Sequence, residues 1–261
     1  MSRLKIEPHQ RIVLAWESIK MDCRHDDFIH KVLPHVGMIK IGLTSMHRNI
    51  DSFSEERNFV DRLITFQTAV SLATTMTTMG AKIFWDAKLN DTEGTVGKAV
   101  ADIANMGPWG FTLHASMPDS SIEAAIANAG GCNTIGVTIL TSFTPDECIR
   151  KFGAPPGVRV VEFAQDLARL GANGLVCSPL ELSLIAENPE CDKLIRMTPG
   201  VRPKGSALGQ QKRVMTPSDA IRAGADYLII GSPIMDAPDP VAAADRIATE
   251  IATAEANLSQ I

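Results

Sequence analysis

Hydrophobic residues along the chain gather into short, nearly unbroken runs at residues 12–16, 38–43, 82–86, 110–115, 134–140, 174–177, 194–198 and 227–231. Runs of this length, rich in Ile, Val and Leu and without polar alternation, predict parallel strands covered on both faces. Longer stretches with helical spacing separate them, at 58–79, 96–104, 121–129, 160–170 and 217–223. Several close on glycine, as in Ala129-Gly130, Leu170-Gly171 and Ala223-Gly224, where a left-handed cap ends a helix before the next strand. Eight such alternations without a low-complexity linker predict an α/β protein built as a closed (β/α)8 TIM barrel, one domain over residues 1–261. An open doubly wound sheet would want a glycine-rich turn after its first strand, and Trp16-Glu17-Ser18-Ile19-Lys20 contains no glycine. The stretch at about 46–79 is long for one loop and helix. It reads as an extended helical segment with an added turn, in preference to an insertion over the barrel mouth or a subunit interface.

Composition adds little to the fold but narrows the function. The 261 residues are 45% hydrophobic and 21% charged, and carry a net charge of −5. No global positive field invites nucleic acid or an anionic membrane. No apolar run approaches the roughly 18 residues that span a bilayer, and no signal segment opens the sequence. The five cysteines, Cys23, Cys132, Cys148, Cys177 and Cys191, are odd in number and lack a CxxC pair. That pattern speaks for reduced thiols and a cytoplasmic protein rather than a disulfide framework or structural zinc.

The candidate chemistry lies at the end of the third run, in Asp86-Ala87-Lys88-Leu89-Asn90-Asp91. On an extended backbone Asp86 and Lys88 point to one side, and Asp91 follows beyond the strand. Lys40, near the end of the second run, supplies another ammonium. A surface ladder of ion pairs is the plain alternative, but strand ends in a barrel face the active site. Nearby carboxylates favour the charged form of a lysine, which then has a proton to give to a carbanion. A carboxylate facing a substrate anion favours a transition state in which that charge leaves. Together these suit decarboxylation. His114 is read as a hydrogen-bonded strand-end histidine, not a base.

These residues resemble the DxKxxD…T signature of the orotidine 5′-phosphate decarboxylase family, with Thr95 as its threonine. The resemblance continues through Lys40-Ile41-Gly42, Leu113-His114-Ala115-Ser116, 136–142, Val176-Cys177-Ser178, Thr198-Pro199-Gly200-Val201-Arg202-Pro203, Gln211-Lys212-Arg213 and 226–231. It implies UMP formation in pyrimidine biosynthesis, with Lys88 as proton donor, Asp86 opposing the substrate carboxylate, and Lys40 bridging Asp86 and the ribose. It implies a nucleotide-like anionic substrate, no metal and no organic cofactor. A homodimer is also implied, with Asp91 and Thr95 contributed across the interface. Ser142 would bond the pyrimidine, Pro199 would line its pocket, and Gln211 would sit on the phosphate-closing loop.

The departures cluster at the sugar-phosphate end. Where the family's first strand ends in an Ala-Leu-Asp-like triplet, this chain has Ala15-Trp16-Glu17, with a longer ribose contact and a bulkier neighbour. Where the family has Gly-Arg after the last strand, this chain has Gly231-Ser232, and Gln210 replaces a common aspartate. Losing a charge-assisted clamp of about 1.5–3 kcal/mol weakens phosphate binding at least tenfold unless Arg202, Lys204, Lys212 or Arg213 compensates, or the amides of Gly200 and Gly231 cradle the anion. Three other readings remain open. A decarboxylase anchoring its substrate differently would gain from Ser232→Arg. A magnesium-dependent relative would place an acid where Lys40 stands. A non-catalytic nucleotide-binding barrel would bind without turnover.

Overall fold

In the first strand, β1 (Ile12–Trp16), all five residues are buried, and they divide between two cores. Val13 and Ala15 join Met38, Phe84, Ile135, Met197, Tyr227 and Ile229 in the barrel interior. Ile12, Leu14 and Trp16 face outward into the layer between strands and helices. This double burial is why the run reads as continuously apolar although its side chains alternate. The structure, a computed structural model, describes residues 6–16, 23–42, 73–204 and 214–258.

The remaining strands are β2 (Met38–Gly42), β3 (Ile83–Leu89), β4 (Gly110–His114), β5 (Asn133–Val137), β6 (Gly174–Val176), β7 (Ile195–Thr198) and β8 (Tyr227–Ile230). They pair in sequence order, all parallel, and β8 closes on β1. The predicted closed (β/α)8 barrel is therefore observed. Two strand boundaries need correction. β3 runs on to Leu89 instead of stopping at residue 86, and β5 ends at Val137, so residues 138–140 belong to the loop above it.

The helices over the barrel include α1 (Cys23–Val32), α2 (Glu93–Asn105), α3 (Asp119–Asn128), α4 (Pro145–Phe152), α5 (Pro156–Leu170), α6 (Leu182–Ala186), α7 (Pro217–Arg222), α8 (Ser232–Met235) and α9 (Pro240–Leu258). α5 stops at Gly171, whose φ of 89° is the left-handed cap its sequence predicts. α1, α4, α6, α8 and α9 were not among the predicted helical stretches. Residues 73–78 are helical, and the rest of the predicted 58–79 helix, like most of the 46–79 stretch, lies outside the described residues.

The lower end of the barrel is closed by edge-on aromatics and a buried ion pair. Trp109 meets Phe84 and Tyr227 edge-on, with ring centroids 5.8 and 5.5 Å apart. Fully buried Arg11 donates to Glu255 of α9 at 2.7 Å and to the Asp226 carbonyl at 2.8 Å, tying the last helix to the first strand. With that end filled, the opposite rim is left for chemistry. Among the described residues no helix is long and apolar enough to cross a membrane.

Candidate active site

Asp86 and Lys88 both lie on β3, but regular alternation does not aim them. Lys88 has φ 48°, and it is the one non-glycine residue with positive φ among those described. The pairing of β3 with β4 slips between Trp85↔Phe111 and Leu89↔Leu113, so Asp86, Ala87 and Lys88 stand against Thr112 alone. This bulge, not an extended backbone, turns the lysine back over the carboxylate. Lys88 Nζ donates to Asp86 Oδ2 at 2.6 Å, and Lys40 Nζ reaches the same oxygen at 3.0 Å from β2. Gly42 leaves room for the pair, since a Cβ there would stand 3.3 Å from Lys40 Nζ and 3.5 Å from Asp86 Oδ2.

The side chains of Asp86, Lys40 and Lys88 are 10%, 13% and 30% exposed, which removes the surface-ladder alternative. Burial by itself would raise the Asp86 pKa. The charges of Lys40 and Lys88 and their hydrogen bonds outweigh it and hold the carboxyl at about 2, below its ordinary 3.8. A folded-state pKa below the unfolded one stabilises the fold above the unfolded value and is lost as pH falls through the folded value. Asp86 is therefore expected to contribute about 2 kcal/mol near neutrality, draining away as pH drops from about 5 towards 2. Urea unfolding of wild type and Asp86→Asn across that range checks this: the stability gap between them should narrow with acid, and a constant gap would refute it.

His114 ends β4, half-buried. Burial first, then the charge of Lys88, hold its pKa below the ordinary 6.5, against a smaller opposing pull from Asp86. It adds no cation to the cluster at neutral pH. Asp91 does not join the cluster within this chain. It is exposed on the rim, where its Oδ1 accepts from the Thr92 amide at 2.7 Å and the Thr92 hydroxyl at 3.3 Å. Thr95 is exposed one turn into α2, its hydroxyl 3.3 Å from that of Thr92.

Above Asp86 opens a cavity of about 650 Å³ whose lining joins Lys40, Asp86 and Lys88 to Pro199, Arg202 and Ser232. Pro199 and Ile139 give it an apolar wall, and Gly231 and Ser232 line it beside Arg202. Arg202 Nη1 donates to Ser232 Oγ, so the residue without a charge is met by a guanidinium from another loop. The Arg202 backbone is fixed by its amide on the Met215 carbonyl at 3.0 Å and by a bridge between Val201 and Met215. Arg222, on α7, is bound to Asp219 of the same helix at 2.8 Å.

Two expectations at this end shift. Trp16 packs outward against Phe28 of α1, with ring centroids 5.5 Å apart, and Ala15 is the β1 residue that lines the cavity. The bulk of Trp16 is therefore turned away from the site. Ser142 is exposed and absent from the cavity wall, where its neighbour Thr141 stands instead. Glu17 and Gln211 lie outside the described residues. Three site residues escaped the sequence reading: Thr112, Thr141 and Asp236, the last an exposed carboxylate on the cavity rim near Ser232. For Thr112 the available signal was its place two residues before His114, on the inward face of the strand after Asp86.

Comparison with known proteins bears on the whole chain. An orotidine 5′-phosphate decarboxylase of Rhodopseudomonas palustris is 42% identical over 189 residues, covering 70% of this chain and 77% of that protein. One from Anaeromyxobacter sp. (strain K) is 35% identical over 246 residues, 93% of this chain and 99% of its own. The crystal structure of orotidine 5′-phosphate decarboxylase from Lactobacillus acidophilus superposes with a TM-score of 0.70 at 26% identity, covering 92% of this chain and 98% of that one. The sequence profile of the orotidine 5′-phosphate decarboxylase / HUMPS family matches residues 21–247, a span that holds Lys40, the β3 charges, Arg202 and Ser232. Matched over most of its length in sequence and along nearly all of it in fold, the chain belongs to the orotidine 5′-phosphate decarboxylase / HUMPS family.

Proposed function

We propose that this protein is a carboxy-lyase that converts orotidine 5′-phosphate to UMP and carbon dioxide, with Lys88 as the proton donor. The observation that carries the reading is the buried Lys40–Asp86–Lys88 cluster in a cavity whose lining also includes Arg202. With the substrate carboxylate set against Asp86, two negative charges share a site of low exposure. Departure of carbon dioxide relieves that contact. The C–C bond breaks, its electron pair stays on the ring carbon, and Lys88 Nζ delivers a proton there. The resulting amine regains a proton from solvent. Lys40 at the Asp86 carboxylate speaks for this chemistry over the magnesium-dependent alternative, because it puts an ammonium where a metal-binding relative needs an acid.

At the other end, Arg202 supplies the phosphate contact that the family's missing arginine would make. Its Nε is buried without a hydrogen-bond partner among the described residues, a donor awaiting an acceptor. Asp91 and Thr95, exposed on the rim, suit contribution to a partner subunit's site in a homodimer. Incubation of the purified protein with orotidine 5′-phosphate should bleach the orotate chromophore with stoichiometric release of carbon dioxide. No turnover at any concentration would defeat the assignment. The carboxylate of Asp236 beside Ser232 favours a second reading, a decarboxylase of the same chemistry whose substrate carries a less charged tail. Under that reading orotidine rather than its 5′-phosphate is the better substrate, so running both in parallel separates the two.

A further inference from the structure

A left-handed backbone is costly for any residue with a Cβ and persists where its surroundings enforce it. Lys88 holds φ 48° on the strand that carries the charged cluster. Because the β3–β4 register slips around it, no ladder carbonyl serves its amide. The Lys88 N–H instead donates to Thr112 Oγ1 at 2.9 Å, and that hydroxyl donates to Asp86 Oδ1, also at 2.9 Å. The direction of both bonds is forced. An amide can only give its hydrogen, an ionised carboxylate can only accept, and the threonine hydroxyl does one of each. Thr112 is 1% exposed, so bulk water does not stand in for it.

We propose that Thr112 is a positioning residue for proton transfer, its hydroxyl locking the left-handed Lys88 backbone and the Asp86 carboxylate into one unit. The division of labour at Asp86 follows from it. Oδ1 is taken by a neutral donor from β4, and Oδ2 is left to both lysines, which brings Lys40 and Lys88 to the same point. Without the hydroxyl, Lys88 can relax towards an extended backbone and swing its ammonium away from the reacting carbon, while Asp86 turns about its side-chain bonds. The floor of the cavity would then hold the right charges in the wrong places. Substrate binding, which draws on Arg202 and the apolar wall, would be disturbed far less than the chemical step.

The inference rests on Lys88 being the proton donor, so its test needs one readout that requires no substrate. Thr112→Val keeps the shape and deletes the hydroxyl, and Thr112→Ser keeps the hydroxyl and deletes the methyl. With orotidine 5′-phosphate, the valine variant should lose about 10- to 100-fold in kcat with KM within about threefold, and serine should restore most of it. In the free enzyme, the Lys88 amide should exchange with solvent at least about tenfold faster in the valine variant than in wild type or the serine variant. Should the valine variant fail to fold, Thr112→Ala takes its place in both measurements. Wild-type kcat without the hydroxyl, equal losses in the serine and valine variants, or unchanged Lys88 amide exchange would each overturn the proposal. If wild type itself does not turn over orotidine 5′-phosphate, the assigned reaction falls, and amide exchange alone still decides whether Thr112 locks Lys88.

Discussion

Lys88→Ala should lower kcat for orotidine 5′-phosphate by about 10⁴-fold, the upper end of what a positioned proton donor contributes. The upper end is expected because Lys88 has two tasks. Its Nζ lies 2.6 Å from Asp86 Oδ2, so its removal deletes the acid and also leaves a buried carboxylate with Lys40 as its remaining ammonium. KM should move much less than kcat, since the phosphate contact and the apolar wall are untouched. Lys88→Arg should be nearly as damaging. A guanidinium keeps the charge beside Asp86 but holds its protons too tightly to give one to carbon. Steady-state kinetics with the three proteins checks this. A Lys88→Ala variant retaining a tenth of wild-type kcat would remove Lys88 from the proton-transfer role.

Much of this site could be read in the sequence because its charges are contiguous. Asp86 and Lys88 stand two apart at the end of an apolar run, and a barrel puts such ends on the catalytic rim. The strands were legible for a similar reason: burial on both faces makes each of them an unbroken apolar run. What was lost depends on register. The reading had Asp86 and Lys88 aligned by alternation, whereas the β3–β4 slip and a positive φ do the aligning, and neither has a local signature. Thr112 acts across two strands, so its place two residues before His114 gives the face it points to but not the groups it bonds. Ser142 rests on the family resemblance and not on strand alternation; it lies in the loop beyond β5, which ends at Val137, where the two-residue period does not say which side chain faces the cavity. The unread α9 is a different case. Pro240 at its start, the Asp239 carboxylate accepting from the Ala242 amide at 2.9 Å, and inward Ala244, Ile247, Ile251 and Ala254 are helix signals that alanine-rich composition made inconspicuous.

The Arg202–Ser232 pair changes what a repair of the phosphate end should do. From sequence alone Ser232→Arg restores a missing clamp and should raise activity. In the structure the Arg202 guanidinium already sits on Ser232, so a second one would meet like charge and compete for the same anion. Ser232→Arg alone is therefore expected to leave kcat/KM within about threefold of wild type. Arg202→Ala should lower it by about 100-fold, because two charge-assisted bonds to phosphate at the low end of their range amount to about 3 kcal/mol. Combining the two should bring kcat/KM back to within about tenfold of wild type, with the new arginine taking the vacated position. Such strong non-additivity is what two residues serving one anion must show. Inorganic phosphate as a competitive inhibitor gives an independent reading of the same cycle, since its inhibition constant should rise in Arg202→Ala and recover in the double variant. Additive effects, or an Arg202→Ala protein with unaltered kcat/KM, would mean that the phosphate is held elsewhere and that the guanidinium at Ser232 serves only to pin the loop.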